Sequence, residues 1–92
     1  MHISKRIILT AKCVTKGHVV ADIGCDHAYT SIYLMREGIA NHIIAADVND
    51  GPVQRARANI KEHCLDDFIE VRKSDGLSGF DVSDGIETIL IS

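Results

Sequence analysis

The sequence contains little cysteine and no long hydrophobic run. Its 92 residues include three cysteines, at positions 13, 25 and 64, and no Cys-x-x-Cys pair. This spacing argues against a disulfide framework or a zinc site, so we expect reduced thiols and no bound metal. No apolar stretch approaches the ~20 residues of a membrane-spanning helix, so we expect no membrane partner. The first residues lack the pattern of a signal peptide, and a cytoplasmic location is expected.

Acidic residues are absent from the start of the chain, and basic residues are few at its end. The net charge is −3, but residues 1–20 carry four bases and no acid, whereas residues 66–92 carry two bases and seven acids. A basic segment can contact a phosphate backbone. Four cations on a helix are more often simply solvated, so charge alone does not predict RNA binding.

The residues around Gly24 have the pattern of a buried strand that ends in a turn and continues as a helix. Small and β-branched apolar residues occupy positions 19–21 and 23, and helical spacing begins at Tyr29. Asp22 therefore lies near the carboxyl end of a strand, where open α/β sheets bind ligands. The amide groups of the next helix add oriented donors. We expect a ligand site at this turn.

The turn lacks the glycines of a dinucleotide-binding site. Counted from Gly24, such a site requires glycine at the positions that Asp26 and Tyr29 occupy. A carboxylate at position 26 would repel a diphosphate, whereas it would attract a ligand with an ammonium and a sulfonium group. The turn therefore favours S-adenosylmethionine over NAD.

One acid follows each of three successive predicted strands. Asp47 ends the second strand and is placed to accept hydrogen bonds from ribose hydroxyls, and Asp75 follows the third, where it can accept from the exocyclic amine of adenine. Each acid also has an ordinary structural interpretation: loop orientation or helix capping for Asp22, helix capping for Asp47 and turn formation for Asp75. Three acids at three strand ends together favour a binding site.

Strands and helices alternate along the chain, which predicts right-handed crossovers, a mainly parallel sheet and the α/β class. The first helix is capped by Ser4 and ends near Gly17. The other predicted elements are strands to Ile23 and over 42–47, 68–72 and 87–91, helices over 28–37 and after 49–52, and a loop over 74–85 with at most one helical turn.

Several segments resemble the bacterial TrmK-type family, whose members are S-adenosylmethionine-dependent methyltransferases acting on N1 of a D-arm adenine in tRNA. The resemblance covers nearly the whole chain and includes ADIGCDHAY at 21–29, VNDGP at 48–52 and VRKSDGL at 71–77. The DHAY and NDGP parts are more distinctive than the general methyltransferase pattern. It implies a Rossmann-like methyltransferase fold, with a four-stranded sheet of order 3-2-1-4 and helices on both faces.

The resemblance and the strand-end acids together define a predicted S-adenosylmethionine site. Its residues are Asp22 and Gly24 on the methionine side, Asp26 and His27 in the turn that lines it, Asp47 and Asn49 at the ribose, and Asp75 and Gly76 at the adenine. For His27, a structural role at the helix start remains an alternative. No catalytic residue is assigned.

Members of the family continue after the fourth strand into a glycine-rich loop, further strands and a helical domain. We therefore expect residues 1–92 to be the amino-terminal part of the S-adenosylmethionine-binding domain of a tRNA adenine-N1 methyltransferase, with tRNA as partner of the full enzyme and no activity of this part alone. The fourth strand is expected to have an open edge and to form a homodimer. The alternative function is a non-catalytic Rossmann-like binding or assembly module.

Overall fold

The centre of the fold is a four-stranded sheet, seen in a computed structural model that describes residues 4–91. The strands lie in the order β3-β2-β1-β4, and all neighbours are parallel. The predicted order is therefore confirmed. From β1 the chain moves to β2 on one side and later to β4 on the other, so the topological switch point lies at the end of β1. The strands are β1 (His18–Ile23), β2 (Ala40–Asp47), β3 (Ile69–Lys73) and β4 (Thr88–Ile91).

Three α-helices accompany the sheet: α1 (Lys5–Lys12), α2 (Tyr29–Arg36) and α3 (Asp50–Glu62). Helix α1 packs against α2, α2 packs against β2, and α3 contacts β2 and β3. The connection from β3 to β4 is a loop that contains one short 3-10 turn, Val82–Asp84. No helix within residues 4–91 has the length and apolar character needed to cross a membrane.

The first helix begins as predicted but ends earlier. The Ser4 hydroxyl caps it by accepting a hydrogen bond from the Ile7 amide, at 3.2 Å. Helix α1 ends at Lys12 because the Cys13 amide bonds back to Thr10, which closes the last turn. Gly17, the predicted helix stop, instead has φ of 87° in the turn before β1, where its amide donates to the Ile39 carbonyl at 2.7 Å.

The core forms where apolar residues of the central strands meet the apolar faces of the helices. Strand β2 is buried along most of its length and β1 is buried over residues 20–22, as expected for parallel strands covered on both faces. Helix α3 contributes the stripe that its spacing predicts, because positions 53, 56 and 60 lie on one helical face. The largest fully buried apolar side chains are Ile32, Leu34, Ile43, Ile60, Val20 and Val53.

Candidate functional site

The turn between β1 and α2 has a backbone conformation that few sequences adopt. Gly24, Asp26 and Ala28 have φ of 76°, 45° and 63°. Positive φ at a non-glycine residue costs on the order of 1–3 kcal/mol and persists only where the surroundings enforce it. The amides of Gly24 and Cys25 both donate to the Ala46 carbonyl, at 2.8 and 3.1 Å, which fixes the turn to the end of β2.

Helix α3 braces the same turn from the side. Arg55 Nη2 donates to Asp26 Oδ1 at 3.0 Å, and Asn59 Nδ2 donates to the His27 carbonyl oxygen at 2.9 Å. The hydrogen bond from Arg55 lowers the pKa of Asp26, and the nearby His27 lowers it further. The rings of His27 and Tyr29 are stacked, with centroids 5.1 Å apart. The turn is therefore a fixed element of the fold before any ligand binds.

Asp22 is buried beneath this turn, with 1% of its surface exposed. Its Oδ2 accepts a hydrogen bond from the Ser31 hydroxyl at 2.7 Å, which joins β1 to α2. This bond agrees with the loop-orienting interpretation, but it accounts for only one of the two carboxylate oxygens. Its Oδ1 has no hydrogen-bond partner among residues 4–91. Burial raises the pKa of Asp22 to about 6. A donor from a ligand's ammonium group or from water would satisfy the remaining oxygen.

Cys25 stays a neutral thiol in this setting. Burial, followed by the negative charges of Asp22 and Asp47, raises the pKa of its thiol to about 12. A thiolate is the nucleophilic form of cysteine, so this environment is the opposite of that around a reactive cysteine. Cys25 therefore packs as a small side chain.

A cleft of about 350 Å³ opens between α1, the β1–α2 turn and the end of β4. Of the predicted site residues, Gly24, Asp26 and His27 line it. Arg6 contributes from α1 and Leu90 from β4, and sequence reasoning assigned neither to the site. The cleft lies at the carboxyl end of β1, which is the end at which open α/β sheets bind ligands.

The predicted ribose residues lie at the end of β2, outside the lining of this cleft. Asp47 is half-buried, and its Oδ1 accepts a hydrogen bond from the Asn49 amide at 3.1 Å. Asn49 occupies the N-cap position of α3, but its side chain makes no capping hydrogen bond. Both side chains can therefore form hydrogen bonds with a ligand near the start of α3.

The predicted adenine residues begin the loop after β3. Asp75 is exposed, and its carboxylate makes no hydrogen bond within residues 4–91, whereas its carbonyl accepts from the amide and the hydroxyl of Ser78. Gly76 has φ of 58°, and its carbonyl accepts from the Ser74 hydroxyl at 2.9 Å. The Ser74 amide donates to the Asp47 carbonyl at 2.9 Å, so the ends of β2 and β3 are directly joined.

Arg55, Asn59 and Ser31 are structural parts of the site that sequence reasoning missed. Arg55 and Asn59 are four residues apart on α3, so helical spacing places them on one face, and that was an available signal. Their partners in the turn lie 29 and 32 residues away in sequence, and no local pattern links such positions. Ser31 lies inside α2, and its buried hydroxyl requires a hydrogen-bond partner, which is Asp22.

Residues 3–92 match the family model described as "Methyltransferase domain". The tRNA (adenine(22)-N(1))-methyltransferase of Bacillus subtilis (strain 168) is 38% identical over 77 residues, which are 84% of this chain and 32% of that protein. The crystal structure of Streptococcus pneumoniae Sp1610 in complex with S-adenosyl-L-methionine is similar with a TM-score of 0.94 and 40% identity, over 99% of this chain and 42% of that one. M. capricolum TrmK in complex with S-adenosyl-homocysteine gives a TM-score of 0.88 and 30% identity, over 99% and 41%.

The chain belongs to the methyltransferase domain family. Within that class, the resemblance to the TrmK-type proteins is confirmed by the curated relative and by the solved structures. The chain spans about a third of the length of the curated relative and about two-fifths of the length of the structures.

Proposed function

We propose that this chain is the S-adenosylmethionine-binding part of a tRNA adenine-N1 methyltransferase. The observation that carries the proposal is the strained Gly24–Ala28 turn, braced over buried Asp22 at the switch point of the sheet. The proposal is also supported by the similarity to proteins whose structures contain S-adenosyl-L-methionine or S-adenosyl-homocysteine.

The donor and acceptor chemistry of the site fits this cofactor. Asp22 offers a buried carboxylate oxygen that lacks a donor, which suits the ammonium group of the methionine moiety. Gly24, Asp26 and His27 form the adjacent wall. The ribose is assigned to Asp47 and Asn49, and the adenine to Asp75 and Gly76. When bound, the cofactor supplies an electrophilic methyl group on a sulfonium centre.

The protein's part in the reaction is positioning and electrostatics. N1 of neutral adenine carries a free lone pair, so no strong base is required before attack. Asp22 and Asp26 place negative charge near a cleft in which the methylated adenine becomes cationic. Holding two reactants in line can contribute about 7–11 kcal/mol of barrier reduction, so a rigid turn is the expected machinery for this chemistry.

The basic first helix is the proposed contact for tRNA in the full enzyme. Lys5, Arg6 and Lys12 lie on α1, and Arg6 also lines the cleft. A cation at the cleft rim can contact a phosphate that flanks the target base. A role on tRNA also fits the cytoplasmic location predicted from the sequence.

Calorimetric titration with S-adenosylhomocysteine and with NAD tests the proposal. We expect heat with S-adenosylhomocysteine alone. Heat with NAD alone would assign the turn to a dinucleotide, and heat with neither ligand would support the non-catalytic binding or assembly module.

We expect a polypeptide limited to residues 1–92 to bind the cofactor but not to methylate tRNA. Its cleft of about 350 Å³ is formed by α1, one turn and the end of β4, which offers little surface to hold a target nucleotide as well. Incubation with methyl-labelled cofactor and unmodified tRNA measures this. Stoichiometric label in the RNA would contradict the expectation.

The same polypeptide is expected to self-associate through β4. Among residues 4–91, β4 pairs with β1 alone, and Ile89 and Ile91 are 47% and 79% exposed. Backbone groups on an open apolar edge favour strand addition, and a two-fold antiparallel contact would use both edges at once.

Sedimentation equilibrium at micromolar concentration decides this, with Ile91→Lys as the edge variant. The matched control is Leu9→Lys, which places the same charge at an exposed leucine of α1. We expect a dimer for the parent chain and the control, and a monomer for Ile91→Lys. A monomeric parent chain would show that the edge does not drive association.

A further inference from the structure

Arg72 of β3 holds the loop that connects β3 to β4 at three points. Its Nη1 and Nη2 form a bidentate pair with the Asp84 carboxylate, at 3.0 and 3.2 Å. Nη1 also donates to the Gly79 carbonyl at 2.8 Å. The guanidinium lies over the Phe80 ring, 4.9 Å from its centroid. One side chain on a strand therefore fastens both the middle and the far part of the loop.

Gly79 is held from its other side by Ser74. The Gly79 amide donates to Ser74 Oγ at 3.0 Å, while its carbonyl accepts from Arg72. A Cβ atom at position 79 would approach Ser74 Oγ to 2.7 Å, so a side chain there would displace Ser74 from its present position. Ser74 is buried, and its amide bonds to the Asp47 carbonyl. These contacts fix the loop relative to the end of β2.

Residues 75–78 are consequently a short closed turn between two fixed points. Asp75 stands at its start, and Ser78 closes it through bonds of 3.1 and 2.7 Å to the Asp75 carbonyl. Three glycines, at positions 76, 79 and 85, would otherwise make the connection from β3 to β4 conformationally free. The contacts of Arg72 and Ser74 replace that freedom with one arrangement, in which the Asp75 carboxylate is exposed.

We infer that Arg72 is a positioning residue that sets the adenine-side carboxylate, Asp75, at a fixed distance from the ribose-side carboxylate, Asp47. The inference rests on the proposed function. It requires arginine because a planar guanidinium can bind a carboxylate with two hydrogen bonds, donate to a carbonyl and stack on a ring at the same time, which an ammonium group cannot do. A loop ordered before binding costs less to immobilise when the ligand arrives.

The test compares S-adenosylhomocysteine with S-inosylhomocysteine, in which a carbonyl oxygen replaces the exocyclic amine of the base. If Asp75 accepts from that amine, the parent chain should prefer the adenine compound by on the order of tenfold, as one hydrogen bond to a charged group predicts. Asp75→Ala should abolish the preference and gives the reference value. A general structural defect would weaken both ligands and leave their ratio unchanged.

Arg72→Lys and Asp84→Asn are the test variants, and Glu70→Gln is the matched control. Glu70 also pairs with Arg72, through Oε2 at 2.7 and 2.9 Å, but it lies on β3 and does not reach the loop. We expect the ratio of dissociation constants to fall toward the Asp75→Ala value in both test variants and to stay at the parent value in the control. Asp84→Asn carries the test if Arg72→Lys does not fold.

A parent-like ratio in folded Arg72→Lys and Asp84→Asn would overturn the inference and leave the proposed function standing. A parent chain that binds neither compound would overturn the proposed function itself. The two failures are therefore distinguishable in the same titrations.

Discussion

Asp47→Ala is expected to weaken the binding of S-adenosylhomocysteine by about 1–3 kcal/mol, a factor of roughly 5 to 150 in the dissociation constant. The carboxylate ends β2 and is half-buried, with Oδ1 held by the Asn49 amide. A fixed carboxylate can accept from both ribose hydroxyls, and hydrogen bonds to a charged acceptor are the stronger ones. Calorimetric titration of the parent and the variant gives the difference directly.

Two further variants separate ribose binding from folding and from charge. Asp47→Asn keeps an oxygen that can accept from the Asn49 amide but removes the negative charge, so it should lie between the parent and Asp47→Ala. Asp67→Ala removes one acid from the exposed connection before β3 and should bind as the parent does. An unchanged dissociation constant in Asp47→Ala would refute the ribose assignment.

The topology of the sheet could be predicted because it depends on patterns that are local in sequence. Positions 19–21 and 43–46 are short apolar runs, each followed by an aspartate within the same predicted strand. Each strand is followed by helical spacing or by turn residues, so the alternation and the parallel sheet follow. The strand order came with the family resemblance. The predicted end of α1 lies later than the observed one because a glycine such as Gly17 can either stop a helix or form a turn. The hydrogen bond from its amide to the Ile39 carbonyl shows that it forms a turn here.

The contacts that hold the site could not be predicted because they join residues far apart in the chain. Arg55 and Asn59 reach the β1–α2 turn from α3, and Arg72 reaches Asp84 across a loop. A charged residue on a helix surface looks the same in sequence whether it faces solvent or braces a strained turn. The sequence does place the acids at the strand ends. The rigidity that makes them useful arises only from the tertiary contacts.

The buried carboxylate of Asp22 is expected to make the stability of the protein depend on pH in an unusual direction. Burial raises its pKa from 3.8 to about 6, so the folded state binds a proton more tightly than the unfolded state does. Its contribution to stability is fully present below about pH 4 and is lost as the pH rises through about 6. Two pKa units at about 1.4 kcal/mol each predict a change of about 3 kcal/mol.

Asp22→Asn isolates this effect because asparagine does not titrate and its Oδ1 can still accept from Ser31. The free energy of unfolding of the parent, measured by urea denaturation relative to Asp22→Asn, should fall by about 2.5 kcal/mol between pH 4 and pH 7, because the first part of the change occurs below pH 4. Asp26→Asn is the control of opposite sign. The pKa of Asp26 is lowered from 3.8 by Arg55, so the parent should gain stability relative to that variant as the pH rises toward about 4 and should show little further change above it.

Ligand binding should change the Asp22 result in a defined way. An ammonium group near Asp22 favours the ionised carboxylate, so saturating S-adenosylhomocysteine should lower the pKa of Asp22 and flatten the pH dependence of the parent relative to Asp22→Asn. Without ligand, the difference in the free energy of unfolding between the parent and Asp22→Asn could also stay constant between pH 4 and pH 7. That result would show that Oδ1 already has a hydrogen-bond donor. If the ligand does not change the pH dependence of this difference, the methionine side of the cofactor does not reach Asp22.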